Sequence, residues 1–388
     1  MKAVKMKDNI YWVGAIDWSL RNFHGYKTGH GATYNSYLII DDKITLIDTV
    51  KHGFEDEMLS RISSVIDPTK IDYIISSHVE MDHSGGLPFI SRIAPDAKII
   101  TSFPNGQKGL TAHYGNLNYQ TVKAGDTINI GKRTLSFVTT PMLHWPDSMV
   151  TYCPEEKILF SNDAFGQHFA STERFDSEID LPLVLWEAKK YFANILMPYG
   201  KQAQAALKAL AGYDIEMILT GHGISWKNHI NDILSCYESW SRYDVKDRAV
   251  IVFDSMWHST EIMAKTITDA FAACGIPAVF YDLKTNELSD IVTELFDSKY
   301  LAVGSPTINN QMMPTVAAFL CYLKGLQPKN HKAFAFGSYG WGGQSIKLVE
   351  EELKAAGCEI CLENIRNINV PSENVLKEIE EKIIQAIK

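Results

Sequence analysis

After residue 247 the chain settles into an alternation that leaves few folds open. "AVIVFDS" reads as a strand, "TEIMAKTITDAFAAC" as a helix, "PAVFYDL" as a strand and "LSDIVTELF" as a helix. "KYLAVGSP", "PTVAAFLCYLKGL", "KAFAFGSYG", "SIKLVEEELKAAG", "CEICLEN" and "NVLKEIEEKIIQAI" continue the same rhythm of strand and helix. A helix between two strands carries the chain back to the sheet edge where the first strand began, so consecutive strands run parallel. The expectation for 248–388 is a doubly wound α/β unit: a five-stranded parallel sheet with helices on both faces. In such a sheet ligands bind beyond the carboxyl ends of the strands.

Residues 1–247 have another texture. "YLIIDDKITLIDTV" is two β-prone runs around an Asp-Asp-Lys turn, and "SMVTYCPEEKILFSND" is a second hairpin. "GFEDEMLSRISSVI" and "GGLPFISRIA" have helical spacing, and "IDYIISS", "AKIITS" and "TLSFVTTP" read as strands. Residues 185–211 and 226–243 read as helices around the strand "IEMILTGHG". Hairpins mixed with βα units fit layered α/β structure rather than a simple doubly wound sheet. The charged connector "YDVKDR" marks the boundary, placed at 247/248, and a chain of 388 residues is long enough for each part to bury its own core.

Composition removes several classes. No run approaches the roughly 18 apolar residues of a membrane helix, and "MKAVKMKDNIYWVGAID" lacks the apolar centre of a secretory leader, so no membrane partner and a cytoplasmic address are expected. The net charge is −9 and Lys and Arg are dispersed, which argues against nucleic acid. Most of the six cysteines lie in apolar runs such as "AFLCYLKGL", where buried free thiols are expected; the "CEIC" pair reads as strand alternation, with no second CxxC to complete a thiolate site.

The chemistry concentrates at strand ends. "SSHVEMDHSGG" crowds His78, Glu80, Asp82 and His83 after "IDYII"; His144 follows "TLSFVTTPML", Asp163 follows "KILFS", and His222 follows "IEMILT". Four histidines and three carboxylates at such turns point to metal ligation. They sort into two sites, His78, Glu80 and His144 for one ion and Asp82, His83 and His222 for a second. Asp163, with two oxygens, bridges them, and paired ions of this kind lie about 3.5–4 Å apart.

HxExDH, then His, Asp and His, with "NSYLIIDDKITLIDT" upstream, resembles the metallo-β-lactamase superfamily, which implies an αββα sandwich for residues 1–247. Most hydrolytic members of that superfamily carry His where this chain has Glu80. HxExDH followed by a flavodoxin-like domain resembles the flavodiiron proteins, also called A-type flavoproteins, over essentially the whole chain. A third carboxylate suits iron better than zinc held by imidazoles. Glu80, Asp82, Asp163 and one hydroxide would balance two ferrous ions, leaving less charge to acidify a hydrolytic water. By the same resemblance His24, His168 and Tyr199 line the iron pocket as outer donors, with Tyr26 nearby in "RNFHGY". His30, His52, His113, His229 and His331 carry only a packing or surface role.

"FDSMWHSTEIMA" joins a strand to a helix, and Ser255, Met256, Trp257, His258, Ser259 and Thr260 present hydroxyls and amides where a phosphate would bind. The stretch resembles the flavodoxin phosphate loop, with His258 where many relatives have Gly, and the resemblance implies a flavodoxin-like sheet of order 2-1-3-4-5. "GSPTINNQMMP" adds Pro306, Thr307, Ile308, Asn309 and Asn310, and "GSYGWGGQS" adds Ser338, Tyr339, Gly340, Trp341 and Gly342, at the ends of strands three and four. Three such loops in order imply FMN, and the absence of GxGxxG after any strand argues against NAD(P).

The resemblance implies an oxidoreductase that takes dioxygen to water, nitric oxide to nitrous oxide, or both, at a diiron centre resupplied from FMN. It also implies a head-to-tail homodimer or a dimer of dimers, and a separate donor such as rubredoxin or a reduced deazaflavin. The alternative is a zinc hydrolase with an accessory flavodoxin module.

Overall fold

Alternating side chains of the N-terminal strands build two apolar layers on opposite faces of one sheet. Tyr37, Ile39, Ile47, Ile75 and Ile100 belong to one cluster, while their neighbours Leu38, Leu46, Ile74 and Ile99 belong to another. Successive residues of a strand point to opposite faces, so both faces of this sheet are buried. The first cluster also holds Leu135, Phe137, Met149, Ile158, Phe160 and Leu219, which come from a second sheet packed face to face on the first. The second cluster holds Met58, Ile62, Leu87, Ile90 and Leu110 from the helices that cover the outside.

The computed structural model describes residues 1–387. By contacts the chain divides into Met1–Tyr191 with Tyr199–Glu238, and Phe192–Pro198 with the residues from Ser239 onward. In the first unit a seven-stranded sheet runs Val4–Lys7, Ile10–Trp12, Tyr37–Ile39, Thr45–Ile47, Tyr73–Ser76, Lys98–Ser102, Tyr119–Val122 in hydrogen-bonded order. A five-stranded sheet runs Thr127–Asn129, Thr134–Thr139, Met149–Cys153, Ile158–Asn162, Met217–Thr220. The last pair is parallel and sets Asn162 opposite Thr220, so Asp163 and His222 leave adjacent strand ends. This two-sheet α/β architecture is the layered sandwich expected.

The second unit is the doubly wound sheet. Ala278–Asp282, Lys246–Phe253, Ser298–Gly304 and Lys332–Tyr339 pair in parallel, giving order 2-1-3-4, and the fifth position is shared by Glu359–Ile360 and Ile365–Ile368. "CEICLEN" is therefore not one strand. Ala333 pairs with Ile360 and Phe336 with Ile365, so three steps on one strand face five on the other, and the surplus bulges out at Cys361–Asn364.

Other expectations also need correction. Residues 185–211 are not one helix: Leu181–Tyr191 and Gly200–Leu210 are separated by a π turn at Phe192–Leu196 and a 3-10 turn at Met197–Tyr199. Pro198 lacks the amide that would continue the ladder. The helix expected from 226 begins at Ile230, because the amides of Lys227, Asn228 and His229 donate instead to the buried Asp176 carboxylate. A helix at Asn105–Tyr114 went unread, its sequence weakened by Gly106 and Gly109. Of the cysteines only Cys153 and Cys358 are buried, and Cys321 is exposed. Helix Pro314–Leu326 buries Val316, Phe319, Leu320 and Leu323, which turns position 321 outward.

Candidate metal centre and flavin site

Positive charge is what the strand-end cluster of the first unit is built to receive. Ligand atoms of His78, Glu80, His144 and Asp163 lie within 4.8 Å of one another, and those of Asp82, His83 and His222 form a second such group. Glu80 Oε2 lies 3.3 Å from His78 Nε2 and 3.2 Å from His144 Nε2. Asp82 Oδ2 lies 3.2 Å from His222 Nε2, and Asp82 Oδ1 lies 3.5 Å from His83 Nε2. Asp163 spans the two groups: Oδ2 is 3.3 Å from His144 and 3.5 Å from His78, while Oδ1 is 2.7 Å from His83 and 3.5 Å from His222.

These atoms converge without satisfying one another. Both oxygens of Asp82, both of Asp163 and Nε2 of His83 are buried and make no aligned hydrogen bond. Buried polar atoms are rarely left so, and groups aimed at common points fit bound cations. Nitrogen and carboxylate donors in this mixture suit iron. Burial alone would suppress imidazolium, but hydrogen bonds to Asp147 and Glu80 and the charge of Asp163 push His78 up to about 10. Asp163 and Glu80 together lift His144 to about 10, and Asp82 and Asp163 do the same for His83. Burial opposes ionisation of Asp163, yet the charge of His83 and the close imidazoles of His144 and His78 hold its carboxyl well below the usual range.

The far side of the ligands is also organised. Asp147 accepts a hydrogen bond from Val79 N at 2.7 Å and faces His78 Nδ1 at 3.4 Å; His222 Nδ1 donates to Thr33 O at 2.7 Å. Each contact directs Nε2 toward the cluster, the usual work of an outer partner. Gly221 is required by close approach, since a Cβ there would stand 2.9 Å from His83 Cε1 and from Asn162 C. Asp48, Met142, Asn162 and Phe165 adopt φ of 54°, 63°, 52° and 66°, backbone strain gathered around the ligand turns. Asp48 accepts from Ser77 N at 2.7 Å and so holds the segment leading to His78. The sequence reading missed Asp147 and Asp48; the carboxylate in "HWPDS", two residues past the His-Trp pair, was the available signal for the first.

The expected pocket neighbours divide. His24 is exposed and its Nε2 lies 3.2 Å from Glu80 Oε1. His168 is buried, stacks on Tyr26 with centroids 5.3 Å apart, and lies 4.9 Å from the His222 ring. Burial and then the charge of His222 push its pKa well below the ordinary value, so it stands as a neutral imidazole. Tyr199 is half-buried at the start of helix Gly200–Leu210 and makes no hydrogen bond to the ligand cluster among the described residues. Tyr191, not singled out from sequence, contributes a ring 5.1 Å from His168 and 6.1 Å from His222.

In the second unit the three expected loops enclose a cavity of about 650 Å³, within the range of sites for drug-sized molecules. Its lining includes Ser255, Met256, Trp257, Ser259 and Thr260 from the first loop and Pro306, Thr307, Ile308, Asn309 and Asn310 from the second. Ser338, Tyr339, Gly340 and Trp341 come from the third, and Asn369 and Val370, after strand Ile365–Ile368, were missed. His258 and Gly342 do not line it. His258 has φ 65°, the left-handed conformation glycine adopts freely, which accounts for Gly being common there in similar loops. Helix Ser259–Ala273 starts at the cavity, and Ser255 Oγ is buried beside it with no hydrogen-bond partner. An uncapped helix start with an orphan hydroxyl fits a phosphate. Trp257 and Trp341 are each 86 % exposed at the rim, available to stack on a flat ring.

Two family descriptions match: ODP family beta lactamase over residues 32–223 and flavodoxin over residues 251–381. The chain is 44 % identical over 366 residues to a nitric oxide reductase of Moorella thermoacetica, covering 93 % of this chain and 92 % of that one. It is 41 % identical to a rubredoxin-oxygen oxidoreductase of Megalodesulfovibrio gigas, covering 100 % of this chain and 99 % of the other. The crystal structure of the flavodiiron protein from Giardia intestinalis superposes with a TM-score of 0.96 at 35 % identity, over 100 % of this chain and 97 % of that one.

Proposed function

The chain belongs to the flavodiiron protein family, and we propose that it reduces dioxygen, nitric oxide or both at a diiron centre held by its first domain. It is an oxidoreductase with FMN and two non-haem irons as cofactors. The observation that carries the reading is Asp163, whose two oxygens each face one of two histidine-carboxylate groups, with Glu80 in the group where a hydrolase would place a third imidazole. The relatives' names supply both gases as substrates and rubredoxin as a donor.

We assign the diiron centre to the domain expected over 1–247 and the flavin to the one expected over 248–388, while contacts group Phe192–Pro198 and the residues from Ser239 onward with the second unit. His78, Glu80 and His144 would hold one ion and Asp82, His83 and His222 the other, with Asp163 able to serve both. When bound, the irons and the flavin supply one-electron steps, four electrons for dioxygen to two waters or two for paired nitric oxide to nitrous oxide and water. The protein's part is positional. Asp147 and Thr33 fix which imidazole nitrogen faces inward. His24, at the mouth beside Glu80, is the residue placed to pass protons from solvent, and neutral His168 with Tyr191 walls the inner side. Tyr199 is kept as a pocket residue on the family resemblance.

No helix among the described residues is long and apolar enough to cross a membrane, and a cytoplasmic address is part of the proposal. So is a head-to-tail homodimer that brings one subunit's flavin to its partner's irons. Its support is apolar exposure at both sites: Trp257, Trp341 and Val370 at the flavin rim, and Met81, between Glu80 and Asp82, at the metal centre. The electron donor is a separate molecule, rubredoxin first and a reduced deazaflavin second. Steady-state turnover of each gas with chemically reduced rubredoxin tests the reading; no turnover of either by protein loaded with iron and FMN would refute it.

A further inference from the structure

Among the described residues the cavity assigned to flavin has no basic residue in its lining, and a buried carboxylate directly precedes its first lining residue. Asp254 follows strand Lys246–Phe253 and directly precedes Ser255; it is 1 % exposed. Its Oδ2 accepts from the hydroxyl of Thr315, in the first turn of the helix that follows the second flavin loop. Its Oδ1 is buried and makes no hydrogen bond. That oxygen lies 3.5 Å from Lys284 Nζ. Lys284 also donates to Ser255 O at 2.7 Å and lies 3.6 Å from Asp282 Oδ2. Strand register explains the meeting: Phe253 pairs with Asp282, so Asp254 and Lys284 leave neighbouring strands at the same edge.

A dianionic phosphate at the start of helix Ser259–Ala273 would share its loop with this carboxylate, which directly precedes the cavity-lining Ser255. Like charges with little water between them repel strongly, and a lone buried carboxylate is costly even without a ligand. We propose that Lys284 is the counter-charge that makes the phosphate end of this cavity usable. It offsets Asp254 and fixes the Ser255 carbonyl, while Asp254 ties the first two flavin loops together through Thr315. Lys284 is thus a positioning residue set behind the loop, and its effect is confined to the phosphate. The inference rests on the cavity being the FMN site.

The test is rebinding of FMN and of riboflavin, which lacks the phosphate, to full-length protein after release of its flavin, followed by fluorescence quenching. Lys284→Met should weaken FMN about tenfold and riboflavin less than about twofold, given a half-exposed cation and an effective dielectric near 20. Lys284→Arg should keep FMN within about threefold of the unaltered protein. Adding Asp254→Asn to Lys284→Met should recover most of the lost FMN affinity, because the charge needing an offset is gone. Equal weakening of both flavins, or no recovery in the double variant, would overturn the role of Lys284 while leaving the flavin site intact. An unaltered protein that bound riboflavin as tightly as FMN would overturn the phosphate site itself.

Discussion

The metal centre and the flavin cavity solve opposite electrostatic problems. The first gathers seven side chains, all buried but the half-buried His144, whose carboxylates call for cations, and it orients them with a further layer of carboxylate and carbonyl partners. The second presents loop amides, hydroxyls and exposed aromatic rings, and Lys284 stands outside its lining, donating to Ser255 O. The contrast teaches where each site is vulnerable. A metal site fails when one charged ligand is removed, because the remaining ones repel or are left without a partner. A flavin site spread over loops loses affinity in smaller steps.

The sharpest break of that contrast is Asp163→Asn. Losing the bridging charge should reduce gas turnover more than about 100-fold, beyond the range for an outer hydrogen-bond partner, with iron lost and the flavin spectrum unchanged. Loss of both cofactors together, followed by metal analysis and absorbance, would contradict the separation of the two sites. Next is Asp147→Asn, which leaves all seven ligands in place but loosens His78. Iron affinity should fall about 10–100-fold, measured by competition with a chelator, and FMN should stay bound.

On the flavin side, Thr260→Ala combined with Ser259→Ala should weaken FMN about tenfold, the value of roughly one hydrogen bond to a charged acceptor, and leave the iron count untouched. Smallest of all is His258→Gly. Releasing a left-handed side chain gains about 1 kcal/mol. The lost exposed pair with Glu261, 2.7 Å long, gives back at most about that much. Thermal unfolding should therefore move by only a few degrees; a large fall would mean that His258 holds the loop in a way its contacts do not reveal.

The same contrast explains what could be read from the chain. Metal ligands announce themselves, because few other circumstances place His78, Glu80, Asp82 and His83 within six residues and repeat His and Asp after three later strands. Their division into two groups followed from counting donors, and the structure gathers His78, Glu80 and His144 with Asp163, and Asp82 with His83 and His222. Asp147 and Asp48 were not visible, since one carboxylate gains meaning only when folding sets it behind a ligand. The flavin loops were legible by their order at strand ends. Asn369 and Val370 were missed because the fifth strand is split, and the bulge at Cys361–Asn364 shifts the chain away from the simple alternation. The break after Tyr191 and the outward turn of Cys321 show the limit of periodicity: Pro198 cut a pattern that otherwise continued, and an apolar run does not say which helix face is buried.

Glu80 is the residue proposed to make this two-sheet pocket a redox centre and not a zinc hydrolase site. Metal analysis of full-length protein purified without oxygen tests it most directly. About two irons and one FMN per chain are expected, with zinc a minor component. Protein that emerged colourless, with zinc filling both positions and iron absent, would contradict it.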